Sequence, residues 1–225
     1  MKLAGGVVIE GFPGSGLAGT IASSCLVSSL KLSLVGELAS DHFPPLATVL
    51  DGKLQASARV FADASKNIAI FMGDFSPGLR ASHALARTIV DWAAKKEAAF
   101  ILTSFSTLMQ EGVDEHEVSA VVNGPEAEET VAKSGVPLAK LTAVGGVAGS
   151  LLLEGRNAGV PVVALLVKTH KGIQDYESGL KLAEAIMMIF PNAHCNLEAI
   201  REEAARTEGN LRKVWRQTAP SGVYG

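Results

Sequence analysis

The sequence predicts an α/β protein, a three-layer α/β/α sandwich built around a mixed, mostly parallel sheet. Short apolar runs rich in β-branched residues alternate with segments of helical length, which is the pattern of repeated β-α-β units. Residues 162–167 are uninterrupted apolar residues, as expected of a strand buried on both faces of a parallel sheet. The length of 225 residues suits one domain of this class.

The first half of the chain supplies most of the predicted strands. Val7-Val8-Ile9 predicts a strand, a glycine-rich turn follows, and residues 17–30 predict a helix. Asp51-Gly52 lies between two apolar runs and predicts a hairpin, because both turn residues tolerate positive φ. We expect this hairpin to add antiparallel strands to the sheet. The remaining predictions are strands at residues 34–38, 46–50, 54–61, 68–72 and 100–102, and a helix at 80–96.

The second half repeats the alternation. Strands are predicted at residues 118–122 and 162–167, and helices after Pro125 and at 147–157 and 176–189. Asn196 is expected to cap a last helix. We therefore predict an α/β core domain at residues 1–195, a C-terminal helix of the same domain at 196–217, and a flexible tail at 218–225. Residues 103–113 are polar and are predicted to be irregular.

Composition narrows the class of protein. Hydrophobic residues make up 48% and charged residues 19%, so the chain has a surplus of apolar surface that a homo-oligomer interface could cover. The net charge of −3 and the lack of a basic block argue against a nucleic-acid partner. No apolar run reaches the roughly 20 residues of a membrane span, and a cytoplasmic protein is expected. Cys25 and Cys195 suggest neither a disulfide nor a zinc site, and Cys25 is interpreted as a small buried apolar residue.

A glycine-rich turn between the first strand and the first helix is the obvious ligand candidate. Backbone N–H groups of Gly11, Gly14 and Gly16 at a helix N-terminus could attract a phosphate. The spacing matches neither a dinucleotide fingerprint nor a Walker loop. We favour a tight turn with close backbone contacts.

Two polar clusters and one histidine have residue types that occur in catalytic or metal sites. Ser40-Asp41-His42 has the residue types of a catalytic triad, but adjacent residues in an extended segment diverge, so a structural turn is predicted. Asp114-Glu115-His116-Glu117 has metal-ligand types, but a solvated loop is the preferred interpretation and no metal site is expected. His170 follows the buried strand, where α/β sheets place ligand residues, and is the best enzymatic candidate. No acidic partner for it can be named.

The last three residues of the sequence have the features of a peptide ligand. Val223-Tyr224-Gly225 combines an apolar residue, a phenol ring and a carboxylate, after an Ala-Pro-Ser-Gly segment that cannot continue a helix. A pocket on a partner could bury the ring and pair the carboxylate with a lysine.

Taken in order, the segments resemble the proteasome assembly chaperone 2 family. The matching pieces are Gly11 to Gly19, Val35-Gly36-Glu37-Leu38 with Ser40 to Pro45, Asp51-Gly52, Gly145 to Leu153 with Gly159-Val160-Pro161, and Leu165 to His170 with Asp175. The resemblance implies an architecture similar to nucleoside phosphorylases and hydrolases without a known active site, a homo-oligomer, and a role in assembling or binding the proteasome core. The tail is similar to the hydrophobic-Tyr-X signature that docks between proteasome α-subunits.

Two functions follow. The first is a non-enzymatic proteasome assembly chaperone or adaptor that binds α-subunits through Val223, Tyr224 and Gly225, with no cofactor. The alternative is a nucleotide- or phosphate-binding enzyme of phosphorylase or ATP-grasp-like type, using the glycine-rich loop and His170. A structural oligomer with an unrelated partner is a third possibility.

Overall fold

A seven-stranded sheet forms the centre of the protein, with strands in the order β2-β5-β6-β1-β7-β9-β8. The computed structural model describes residues 2–109, 116–170 and 174–202. The four strands β6, β1, β7 and β9 are mutually parallel, whereas β2, β5 and β8 run antiparallel to their neighbours. The strands are β1 Val7–Gly11, β2 Ser33–Glu37, β3 Thr48–Leu50, β4 Lys53–Gln55, β5 Ala58–Asp63, β6 Ile68–Gly73, β7 Phe100–Leu108, β8 Val118–Val122 and β9 Val162–Thr169.

Helices cover both faces of this sheet. They are α1 Ala18–Ser29, α2 Leu79–Lys95, α3 Pro125–Ala132, α4 Gly146–Ala158 and α5 Tyr176–Ile189. Alternate residues of β1 show the two layers, since Ile9 packs in the core beneath α1 and α5 and Val8 in the core beneath α2 and α4. β1 is buried along its whole length, and its first three residues, Val7, Val8 and Ile9, are apolar on both faces as this burial requires. The predicted three-layer α/β/α sandwich is confirmed.

The predicted hairpin forms at Asp51-Gly52, but its two strands lie outside the main sheet. Asp51 has φ 50° and Gly52 has φ 74°, as a two-residue turn with positive φ at both positions requires. The expectation that its strands join the main sheet is wrong, because β3 and β4 pair only with each other. The run predicted at residues 54–61 is divided between β4 and β5, and β5 lies inside the main sheet.

Strand β7 continues through residues predicted to be irregular. It runs to Leu108 and pairs with β9 from Ile101↔Val162 to Leu108↔Thr169. The prediction of irregular structure is therefore wrong for residues 103–108. Their polar side chains are accommodated because buried Thr103 bonds to a side chain of β1, and Ser104 lies against the open backbone of Gly19.

A disulfide joins Cys25 on α1 to Cys195, across a sequence separation of 170 residues. The prediction that these cysteines form no disulfide, and that Cys25 is a small buried apolar residue, is wrong. Packing of α1 against α5 brings the segment after α5 back beside α1, and the two Cα atoms lie 5.4 Å apart. That separation is typical of disulfides.

The last predicted helix begins next to this disulfide. The Ala199 N–H donates to the side chain of Asn196, the predicted cap, and residues 197–202 are helical. Residues 203–225, which include most of the predicted 196–217 helix and all of the predicted 218–225 tail, lie outside the described residues. Among the helices that the structure describes, none is long and apolar enough to cross a membrane.

Candidate functional site

A cavity of about 450 Å³ opens at the carboxyl ends of the central strands. This is the edge at which open α/β sheets bind ligands. Its walls come from β1, from the glycine-rich turn, from the loop after β6, from β7 and from the N-terminus of α4. The lining combines apolar side chains, such as those of Phe12, Phe105 and Val147, with Glu10, Ser15, Ser76, Ser104, Ser106 and the glycines Gly14 and Gly146.

Glu10 is the buried acid of this cavity. Only 4% of the residue is exposed. Its Oε1 accepts a hydrogen bond of 2.8 Å from the Phe12 N–H, and its Oε2 accepts one of 2.5 Å from the Thr103 hydroxyl. Burial raises the pKa of Glu10 to about 7, against the lowering effect of these two hydrogen bonds. The sequence analysis missed this residue, although a carboxylate directly after the apolar run Val7-Val8-Ile9 was a signal for it.

Most glycines of the turn are explained by packing. A Cβ atom at Gly11 would lie 2.2 Å from the Ser23 Oγ, and one at Gly16 would lie 2.7 Å from the Thr169 Cβ. Gly16 also has φ 66°, which favours glycine. Gly14 differs, since a Cβ there would meet no atom within 4 Å and the residue lines the cavity. The structure therefore supports the tight-turn interpretation for Gly11 and Gly16.

The residues that line the cavity argue against the alternative function, a nucleotide- or phosphate-binding enzyme. Among the described residues that line it there is no lysine or arginine, and Glu10 would repel a phosphate whenever it is ionised. His170, the proposed catalytic candidate, is not among the lining residues. The four residues predicted as a ligand loop therefore do not converge on one pocket.

His170 instead belongs to a second polar cluster, at the end of β9. Its backbone N–H and its Nδ1 donate to the Asp175 Oδ2 at 2.8 and 3.0 Å. Asp175 also caps α5, because its Oδ1 accepts from the Ser178 N–H at 3.0 Å. Burial alone would raise the pKa of Asp175, but these hydrogen bonds outweigh burial and hold it below its ordinary value. Asp175 is thus the acidic partner that the sequence did not identify.

His116 completes this cluster, and the prediction of a solvated loop is wrong for it. Its side chain is only 10% exposed, and its Nδ1 lies 2.9 Å from the Ser178 Oγ. The Ser178 hydroxyl uses its one hydrogen to bond the Lys168 carbonyl, so the His116 Nδ1 is the donor to Ser178. The same Nδ1 is 3.9 Å from the Asp175 Oδ1. No sequence motif links residues 116 and 170.

Two of the predicted candidates remain, the Ser40-Asp41-His42 segment and the last three residues. The Ser40-Asp41-His42 segment forms the predicted structural turn, in which the His42 N–H donates to the Ser40 Oγ and the His42 side chain is exposed. Val223, Tyr224 and Gly225 lie outside the described residues.

Comparison with known structures identifies the class of protein that has this fold. PbaA of Pyrococcus furiosus, described as an archaeal homologue of a proteasome-assembly chaperone, superposes with a TM-score of 0.87 and 25% identity, over 96% of this chain and 90% of that one. PbaB of the same organism, described as an archaeal proteasome activator, shares the fold with a TM-score of 0.80 and 24% identity, over 94% and 93% of the two chains.

Sequence comparison gives the family. The PAC2 family model matches residues 8–214, and the chain belongs to the PAC2 family. An uncharacterized protein of Methanocaldococcus jannaschii is 29% identical over 211 residues, which is 94% of this chain and 86% of that protein. The family resemblance predicted from the ordered segments is confirmed.

Proposed function

We propose that this protein is a cytoplasmic chaperone or adaptor that binds proteasome α-subunits. The observation that carries the proposal is the match to the PAC2 family over residues 8–214, together with the close superposition on PbaA. The prediction that the chain is not an enzyme is confirmed by its membership of this chaperone family.

Docking through Val223, Tyr224 and Gly225 is the finer part of the proposal. Tyr224 would supply most of the contact, because a buried aromatic ring covers roughly 150–250 Å². Val223 would fill a shallow apolar site, and the Gly225 carboxylate would pair with a lysine of the pocket. Residues 197–202, the last that the structure describes, are helical, with Asn196 as their cap and the Cys25–Cys195 disulfide directly before it.

A homo-oligomer would make such a weak ligand effective. One short tail loses ordering entropy on binding, whereas several tails on one particle gain a factor of about 10²–10⁴ by avidity. Apolar side chains for self-association are available on the surface. Val49 and Leu54 on the β3–β4 hairpin are 65% and 76% exposed, and Val35 on the edge strand β2 is 51% exposed. One side of β2 pairs with β5 and the other is the open edge of the described sheet, where a strand of another copy could pair.

The test is native mass measurement of the protein alone and mixed with purified α-subunits. Full-length chain, a chain lacking residues 223–225, and Tyr224→Ala are compared, with Ser221→Ala as the matched control in the same tail. We expect the full-length chain and Ser221→Ala to bind α-subunits and the other two to fail while keeping the same oligomer. Undiminished binding after the deletion would overturn docking through the tail. Absence of any α-subunit complex with the full-length chain would overturn the proposed function itself.

A further inference from the structure

We propose that His116, His170 and Asp175 form a binding site for one divalent transition-metal ion of the Zn²⁺ type. One ring nitrogen of each histidine and one oxygen of Asp175 lie within 4.8 Å of one another. Two imidazoles and a carboxylate are a donor set that suits zinc and its neighbours in the first transition row, and not Mg²⁺ or Ca²⁺, which prefer oxygen ligands.

The cluster is held by the register of the sheet and not by chance proximity of loops. β8 runs antiparallel to β9 with Val118 opposite Val167, so continuing the register puts His116 opposite Thr169 and next to His170. The two rings are 5.5 Å apart between centroids. Asp175 opens α5, and its backbone N–H donates to the Gly16 carbonyl at 2.8 Å. Three elements thus present one ligand each from fixed backbone positions, which favours a preformed site.

The distances are close to those of a metal site. Zinc binds imidazole nitrogen at about 2.0–2.1 Å and carboxylate oxygen at about 2.0–2.2 Å, so neighbouring ligand atoms of a tetrahedron are about 3.4 Å apart. The His170 Nδ1 is 3.0 Å from the Asp175 Oδ2, and the His116 Nδ1 is 3.9 Å from the Asp175 Oδ1. These two values lie on either side of the required distance. All the ligand atoms lie within 4.8 Å of one another, so no pair needs more than about 1.4 Å of movement to reach the 3.4 Å separation.

Binding requires a defined rearrangement of protons. Each Nδ1 now carries the hydrogen that it donates to Asp175 or Ser178. The ion takes the place of both hydrogens, and each imidazole stays neutral by carrying its proton on Nε2. Asp175 keeps its bonds from the N–H groups of His170 and Ser178, which orient it as a ligand from behind. His170 is 44% exposed on its side chain, so the ion has a route from solvent and an open position for water.

The test uses untagged protein stripped with EDTA and kept without reducing agent, because reduced Cys25 and Cys195 would offer competing thiolates. Zn²⁺ and Co²⁺ are titrated calorimetrically and by the visible absorbance of Co²⁺, with Mg²⁺ as the control ion. We expect one equivalent of Zn²⁺ or Co²⁺ per chain, a higher Tm with Zn²⁺, and neither effect with Mg²⁺.

Histidine variants assign the ligands. His116→Gln and His170→Gln should each lose the bound equivalent, whereas His83→Gln, at an exposed histidine of α2, should keep it. Circular dichroism checks that each variant is folded. If a ligand variant fails to fold, NMR of the wild-type protein serves instead, since Co²⁺ at this site must broaden the ring signals of His116 and His170 first. Binding that survives both ligand variants, broadening centred on other histidines, or no binding by the folded wild-type protein would each overturn the proposal.

Discussion

Replacing Glu10 with glutamine should remove a large part of the pH dependence of stability. The folded protein holds the pKa of Glu10 at about 7, while the ordinary value is 4.5. A carboxyl whose pKa is raised by folding stabilises the protein when it is protonated. That stability is fully present below pH 4.5 and is lost as the pH rises through 7.

The magnitude follows from the two pKa values. Each unit of pKa difference corresponds to about 1.36 kcal/mol, so the maximum loss is about 3 kcal/mol. Between pH 5 and pH 8 the linkage relation gives a loss of about 2.5 kcal/mol from this one group. Glu10 is fully buried, so solvent does not screen the effect. Glutamine keeps an oxygen for the Phe12 N–H but cannot ionise, so this loss should disappear.

Urea unfolding at pH 5 and pH 8 measures the prediction. The free energy of unfolding of the wild-type protein should fall between these pH values by about 2.5 kcal/mol more than that of Glu10→Gln. Glu37→Gln, at an exposed carboxyl on β2, is the matched control and should behave as the wild type. Equal pH dependence in the wild type and Glu10→Gln would refute the reasoning, because it would mean that ionised Glu10 is not penalised in the folded state.

Four further substitutions test separate parts of the fold by thermal and urea unfolding. Cys25→Ser should lower the free energy of unfolding by about 2–5 kcal/mol, the usual contribution of a native disulfide. Reducing agent should then have no additional effect on this variant, and a further loss of stability on reduction would contradict the prediction. Gly16→Ala should cost about 1–2 kcal/mol or more, because it forces a side chain to positive φ and against Thr169. Gly14→Ala should leave the free energy of unfolding nearly unchanged, because the added carbon meets open space. Equal losses of stability at Gly14 and Gly16 would contradict the packing explanation. Asp175→Ala should cost about 2 kcal/mol or more, because it removes the cap of α5 and leaves the His170 and Ser178 N–H groups unpaired; a neutral result would show that water replaces the carboxylate.

Local patterns in the sequence predicted most helices and strands within a few residues. The helix predicted at 176–189 begins and ends where α5 does, and the buried strand predicted at 162–167 is β9 apart from its last two residues. These predictions hold because periodicity and caps are encoded nearby in the chain. The hairpin shows the limit, since Asp51-Gly52 specified a turn but nothing local specified whether β3 and β4 would join the large sheet.

Long-range pairings account for what was missed. The disulfide joins residues that only the packing of α1 against α5 brings together. The sequence predicts irregular structure at residues 103–113 because they are polar, yet β9 pairs with β7 as far as Leu108. A polar strand is stable there because its backbone groups are paired and its buried hydroxyls find acceptors such as Glu10.

The histidine cluster depends on one strand pairing that the sequence did not predict. Both strands that carry it, at 118–122 and 162–167, were predicted, and His170 was singled out for its position at a strand end. What the sequence did not supply was that β8 returns antiparallel alongside β9. Given that single pairing, His116 must lie next to the end of β9, and the cap of α5 at Asp175 then faces both rings. In this chain the proposed site is therefore located by strand register, because no spacing motif along the sequence links His116 to His170.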